Sequence, residues 1–304
     1  MSDVRPHWPG ETVSAGPYEL FVRRNVPTGD DVEPAVFVHG LGGAATNWTD
    51  LMGLLADRLD GEAMDLPGFG YSPPPPDHDF TPAGHASAVV ALLEAHDRGP
   101  VHLFGNSLGG AVAVRVAATR PDLVRTLTLV SPALPVLRPR RSNAHLPALA
   151  TPFIGQQLLK RLKAVPVESR VRATLALCFA DPARVPRERY DDAVAEARRR
   201  AGLGYDAHAL VQSLRGLIAT YLSRGQDTPW QLAARVQAPT LLVYGLKDKL
   251  VDPRSSSRAM RTFPDPRLVC IPDSGHVAQM EHPEIVAKAV RELLDRWAAS
   301  TSLR

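Results

Sequence analysis

The residues Gly105-Asn106-Ser107-Leu108-Gly109 form a G-x-S-x-G sequence. A serine hydroxyl is a poor nucleophile until a neighbouring base takes its proton and a third group orients that base. The glycines allow a tight strand-to-helix turn that lifts the serine oxygen above a sheet edge. Val101 to Phe104 reads as a buried strand before this turn, and Ala111 to Thr119 as an Ala/Val-rich helix after it, stopped by Pro121. The start of that helix offers partial positive charge to a developing oxyanion. The competing reading is an ordinary glycine-rich turn in which Ser107 caps the helix.

The base expected for Ser107 is His276, in Asp273-Ser274-Gly275-His276, just after an apolar run at Leu268 to Ile271. His85, His96, His145, His208 and His282 fall on expected helices or helix starts, His102 within a strand, and His7 and His78 in distant loops. The orienting acid expected is Asp248, in the loop Tyr244-Gly245-Leu246-Lys247-Asp248 that leaves the strand Thr240 to Tyr244. Ligands of open α/β sheets bind beyond such strand ends. Asp252 and Asp273 are its rivals. Asp252 precedes Pro253 and a helix, where capping is its natural role, and Asp273 is close enough to His276 to serve only in shaping the turn. The order Ser107, Asp248, His276 is nucleophile, acid, base.

An oxyanion needs two backbone N–H donors. One is expected from Leu108, after the nucleophile. The other is expected from Leu41, in the loop His39-Gly40-Leu41-Gly42-Gly43 that follows the strand Ala35 to Val38. Gly40 and Gly42 let that backbone turn inward. His39 and Asn106 are expected to brace the site without reacting.

These loops need strands to hold them. The strands read are Tyr18 to Arg23, Ala35 to Val38, Val101 to Phe104, Leu127 to Val130, Thr240 to Tyr244 and Leu268 to Ile271. Between them lie expected helices at Trp48 to Leu59, Pro82 to His96, Ala111 to Thr119, Arg254 to Phe263 and Pro283 to Ala298. Strands alternating with helices imply a mostly parallel, doubly wound α/β sheet. From Ser131 to Trp230 the alternation stops. Helical stretches near 153–164, 168–180, 187–201 and 206–224 are separated by Pro-rich joints. The expected organisation is an α/β core at 1–131 and 231–304 with an all-helical insertion at 132–230.

The 304 residues suffice for a sizeable core, and 44% hydrophobic with 22% charged residues is ordinary for a globular chain. A net charge of +3 argues against nucleic-acid binding. Two cysteines, Cys178 and Cys270, form no disulfide framework or CxxC pair, and Cys270 reads as a small buried apolar residue. The N-terminus shows no apolar signal core, and no run of about 18 apolar residues occurs. A cytoplasmic protein is expected. Pro73 to Pro76 reads as a rigid surface loop.

Charge is unevenly placed. Arg138 to Arg200 carries 14 Lys/Arg against 6 Asp/Glu, a net of +8 within a chain of +3. Phe153, Ile154, Leu158, Leu159 and Leu162 lie beside Lys160, Arg161 and Lys163. One reading is a lid making weak contact with an anionic membrane surface. The other is an ordinary amphipathic helix, apolar towards the core and basic towards water.

Together the segments VFVHGLGG (36–43), DLPGFGYS (65–72), GNSLGG (105–110), YGLKD (244–248) and SGHVAQMEHPE (274–284) resemble the α/β-hydrolase superfamily, over essentially the whole chain. The resemblance implies that the insertion is a cap following the sixth strand. It also implies catalysis through an acyl-enzyme, without cofactor or metal. Members with an aspartate nucleophile split epoxides or haloalkanes, and Ser107 argues against both. Members that split C–C bonds of dienoic acids often carry Gly-Asn-Ser at the elbow, as here, but with Gly-Pro-Gly-Ala in the oxyanion loop, where this chain has Leu-Gly-Gly-Ala. Esterases and monoglyceride-type lipases match better.

The expected activity is hydrolysis of a small-molecule ester or lipid by a monomer or homodimer. The alternatives are a C–C hydrolase or other cofactor-free chemistry on the same triad, and a non-catalytic binding protein.

Overall fold

The computed structural model describes residues 4–136, 151 and 164–301. Eight strands form one sheet in the order β1-β2-β4-β3-β5-β6-β7-β8. They are β1 (Gly10–Ala15), β2 (Tyr18–Arg24), β3 (Glu33–Val38), β4 (Leu59–Met64), β5 (Val101–Asn106), β6 (Val124–Val130), β7 (Thr240–Gly245) and β8 (Pro266–Ile271). β1 and β2 pair antiparallel, as do β2 and β4, and every other pairing is parallel. This is the mostly parallel α/β sheet expected.

The central strands are apolar because both faces are covered. Successive side chains point to opposite faces. Thus Leu103 and Leu242 join one core layer, with Val89 and Leu92 of α2 (Pro82–His96) and Val112 and Val116 of α3 (Leu108–Thr119). Phe104 and Val243 join the other, with Trp48, Leu51 and the C-terminal residues Val290 and Leu293. Phe37 stacks on Phe104 at 4.2 Å between ring centroids, closing that second layer beneath the sheet centre.

The helix expected at Trp48 to Leu59 is broken up. A 3₁₀ turn at Ala45–Trp48 leads into a short α1 (Thr49–Leu54), and Leu59 already begins β4. Leu55 and Leu59 are buried as their helical spacing suggested. The chain must nonetheless extend at Leu59 to pair with Glu33 of β3. β1 was not anticipated. It is a mostly exposed edge strand with little apolar signal, joined to β2 through Gly16-Pro17. Cys270, expected to be buried, is exposed on the edge strand β8.

Between β6 and β7 the described elements are helical: α4 (Val167–Cys178), α5 (Arg187–Ala201), α6 (Asp206–Leu222) and α7 (Pro229–Arg235), with a 3₁₀ turn at Pro182–Arg184. The expected boundary at residue 230 falls inside α7, whose Trp230, Leu232 and Ala233 pack into the first core layer. The helix expected near 153–164 lies outside the described residues. After β7 come α8 (Ser255–Thr262), the short α9 (Ala278–Glu281) and α10 (Pro283–Thr301). No helix among the described residues is long and apolar enough to cross a membrane.

Candidate active site

Ser107 sits between β5 and α3 at φ +54° and ψ −116°. A side-chain-bearing residue in so sparse a region stores on the order of 1–3 kcal/mol of strain and needs its surroundings to enforce it. Here the enforcement is visible. The Ser107 N–H donates to Val130 at 3.1 Å, and its carbonyl accepts from Ala111 at 3.1 Å and Ala133 at 2.9 Å. The α3 backbone also presses against β3. A Cβ on Gly109 would stand 2.3 Å from the Val38 carbonyl oxygen, so this turn requires glycine there. The Ser107 side chain makes no capping hydrogen bond, which removes the ordinary reason for a serine at a helix start.

β7 and β8 are parallel neighbours, so the loops that leave them emerge side by side. They bring Asp248 and His276 together, with His276 Nδ1 2.8 Å from Asp248 Oδ2. Both side chains are buried. The other oxygen, Asp248 Oδ1, accepts the backbone N–H groups of Leu250 at 2.7 Å and Val251 at 2.9 Å. Burial works against ionisation of Asp248. The charge of His276, its hydrogen bond and the two backbone donors outweigh burial and hold the carboxyl below its ordinary range. An ionised carboxylate only accepts, so Nδ1 carries a hydrogen, and in the neutral imidazole Nε2 is the nitrogen with the lone pair that can receive a proton.

Asn106 ties the elbow to this histidine. Its Nδ2 donates to the carbonyl oxygens of Val130 at 3.0 Å and of His276 at 3.1 Å. On the other side of the elbow, Gly43 N–H donates to Gly40 O at 3.0 Å, closing a turn with Leu41 and Gly42 at its centre. Gly42 has φ +73° at the third position, as a type II turn demands. Leu108 opens α3, where a backbone N–H has no partner within the helix. Leu41 packs its side chain on the first core layer.

The glycine loop is braced from several sides. His39 Nδ1 donates to Gly40 O at 2.7 Å, while Nε2 accepts the Leu66 N–H at 3.0 Å. Burial pushes the His39 pKa down to about 3, which keeps it neutral and fixes this tautomer. Asp65 accepts from Ala45 N at 2.7 Å and Tyr71 N at 2.8 Å, so the DLPGFGYS segment supports the loop. The helical stretch reaches it too. Arg200 of α5 donates to the Gly42 carbonyl at 2.8 Å and pairs with Asp206.

The rival acids stay apart from His276. Asp252 takes Arg254 and its backbone N–H, and Asp273 pairs with Arg184 at 2.6 Å. Burial pushes the Cys178 thiol up to about 12, so it is no nucleophile. Residue type alone does not mark Asp65, Arg200 and Glu281 as supports of these loops, because the groups that they hold there are backbone N–H and carbonyl groups. No cluster of three or more metal-ligating side chains occurs among the described residues.

Residues 34–283 match the model of the alpha/beta hydrolase fold family. The chain belongs to that family. This alpha/beta hydrolase is 29% identical over 286 residues to the pimeloyl-[acyl-carrier protein] methyl ester esterase of Chromobacterium violaceum, covering 92% of this chain and 99% of that one. It is 27% identical over 273 residues to the 2-hydroxy-6-oxo-6-(2'-aminophenyl)hexa-2,4-dienoic acid hydrolase of Metapseudomonas resinovorans, covering 88% and 86%. A solved serine hydrolase involved in carbazole degradation superposes with a TM-score of 0.72 at 25% identity, covering 95% and 99%. The alpha/beta hydrolase also shares 31% identity over 260 residues with the dihydrolipoyllysine-residue acetyltransferase component of the acetoin cleaving system of Pseudomonas putida. It covers 62% of that protein's length.

Proposed function

We propose that the chain is a serine hydrolase that cleaves a carboxylic ester through an acyl-enzyme on Ser107. The observation that carries this reading is the buried Asp248–His276 hydrogen bond at 2.8 Å, held to a strained Ser107 turn through Asn106. His276 Nε2 takes the Ser107 proton as the oxygen attacks the ester carbonyl. Asp248 keeps the imidazole in the required tautomer and stabilises its charged form. The N–H groups of Leu108 and Leu41 receive the oxyanion, each worth roughly 3 kcal/mol. His276 returns the proton to the leaving alcohol, then activates a water that releases the acid. The segment 132–230 acts as the cap that shapes the acyl pocket.

A second reading is C–C hydrolysis of a dienoic diketo acid by the same triad. Gly105-Asn106-Ser107 and the likeness to the Metapseudomonas hydrolase favour it. The Leu41-Gly42-Gly43-Ala44 run and the near full-length likeness to the methyl ester esterase favour the ester.

Fluorophosphonate labelling tests the nucleophile. The wild-type chain should label and Ser107→Ala should not. Labelling that survives in a folded Ser107→Ala protein overturns the assignment. A panel of p-nitrophenyl esters of rising chain length beside a dienoic diketone separates the two substrates. Turnover of the diketone alone would overturn the ester reading.

A further inference from the structure

Glu281 ends α9, five positions after His276 in the chain, and its carboxylate is buried. It accepts three backbone N–H groups. Oε2 receives Gly275 at 2.7 Å and Ala180 at 3.1 Å, and Oε1 receives Asp181 at 3.0 Å. Gly275 is the neighbour of His276. Ala180 and Asp181 belong to the segment that leaves α4, between the sheet strands β6 and β7. Beside this carboxylate the His276 N–H itself donates to Cys178 O, the last carbonyl of α4, at 2.7 Å. The two backbones touch without side chains between them. A Cβ on Gly275 would lie 2.4 Å from that same Cys178 oxygen. Arg184 extends the junction by pairing with Asp273 at 2.6 Å and reaching His282 at 3.0 Å.

The His276 backbone is therefore held from two sides. The core holds its carbonyl through Asn106, and the helical segment holds its N–H through Cys178. The second hold joins the base loop to the helical segment between β6 and β7, and the Glu281 carboxylate bridges the two through three backbone N–H groups, with Arg184 beside it. The Gly275 N–H is buried and must be paired, those of Ala180 and Asp181 are partly open, and a carboxylate makes the stronger, charge-assisted kind of bond to all three. Without Glu281 three N–H groups would lose their acceptor. The segments would then separate to admit water, carrying the Cys178 carbonyl away from His276.

We propose that Glu281 is a positioning residue. It clamps the base loop onto the end of α4 and thereby sets where the His276 imidazole stands relative to Ser107. The inference rests on the reading of His276 as general base, and it makes residues 178–181 part of the mounting of that base. Glu281 touches no reacting atom. Its removal should thus slow proton transfer and leave ester binding alone.

The test compares wild type, Glu281→Ala and Glu281→Gln as full chains. It measures kcat and KM on p-nitrophenyl butyrate, the fluorophosphonate labelling rate and thermal unfolding. In folded Glu281→Ala, kcat and the labelling rate should fall about 100-fold, the effect of displacing a catalytic group by roughly 1 Å, with KM nearly unchanged. Glu281→Gln keeps the volume and one acceptor oxygen. It should fold even if the alanine variant does not, and should lose about tenfold in kcat. A folded variant with kcat and labelling within about twofold of wild type, or a loss confined to KM, overturns the clamp alone. A wild-type chain that hydrolyses no activated ester overturns the reading of His276, and the clamp with it.

Discussion

Asn106 and His276 are 170 positions apart in the chain, yet Asn106 Nδ2 donates to the His276 carbonyl oxygen at 3.1 Å. The residue beside the proposed nucleophile therefore holds the backbone of the proposed base. The same amide nitrogen donates to Val130 O, the carbonyl at the end of the neighbouring strand. One side chain fastens strand, elbow and base loop together.

Asn106→Ala should leave the His276 carbonyl oxygen without this donor and Val130 O with only the Ser107 N–H. The expected cost is about 1–3 kcal/mol of stability. The expected loss in kcat is about 10- to 100-fold, because the base loop can shift against the elbow. Chemical denaturation and steady-state kinetics on one activated ester check both. Full activity at reduced stability would show that the Asn106–His276 link does not matter to the reaction.

Asp248→Asn should preserve the fold and abolish the function. The amide is isosteric and its oxygen can still accept from Leu250 and Val251. It can also turn its NH2 towards His276 and select the wrong imidazole tautomer. The expected loss is about 10⁴-fold in kcat. A variant with near wild-type turnover would move the orienting role to another acid.

Arg200→Met should act through the glycine loop. It keeps much of the apolar stem and removes the donor to the Gly42 carbonyl and the partner of Asp206. A charged hydrogen bond of this kind is worth about 1.5–3 kcal/mol, so kcat should fall about tenfold with Ser107 still labelled. Unchanged kinetics would separate Arg200 from the oxyanion loop.

Acid should weaken the fold before it protonates most carboxylates. Burial lowers the pKa of His39 to about 3 and of His85 to about 4, against 6.5 when free. The unfolded chain then binds protons that the folded chain refuses. Their contribution is complete above pH 6.5 and is lost as pH falls towards 4. Asp65, raised by burial to about 6, acts the other way, stabilising below 3.8 and losing this as pH rises through 6. Two histidine shifts exceed one aspartate shift, so the melting temperature should drop between pH 6.5 and 4. His85→Gln should flatten that drop, and a melting temperature rising on acidification would contradict the assignment.

What was legible in the sequence was local. The Ser107 turn is written in five consecutive residues between a buried strand and a helix. β3, β5, β6 and β7 are apolar because both faces are covered, and α2 and α5 match the spans expected from their helical spacing. Where the pattern carried little apolar signal, as in the exposed edge strand β1, nothing announced the strand. At Leu59 the demand for pairing with β3 overrode a helical spacing that looked continuous.

The sequence by itself thus determined the G-x-S-x-G turn, the order of Ser107, Asp248 and His276 and the strand after which each follows. Among Asp248, Asp252 and Asp273, only the tertiary structure shows which lies beside His276: the loops of adjacent β7 and β8 bring Asp248 to 2.8 Å from it. It also placed Glu281 against the loop of His276 and Arg200, beyond its pair with Asp206, against the carbonyl of Gly42. Their partners are backbone N–H and carbonyl groups, which every residue carries alike. Such bonds leave no mark on residue type, and only the path of the folded chain selects them.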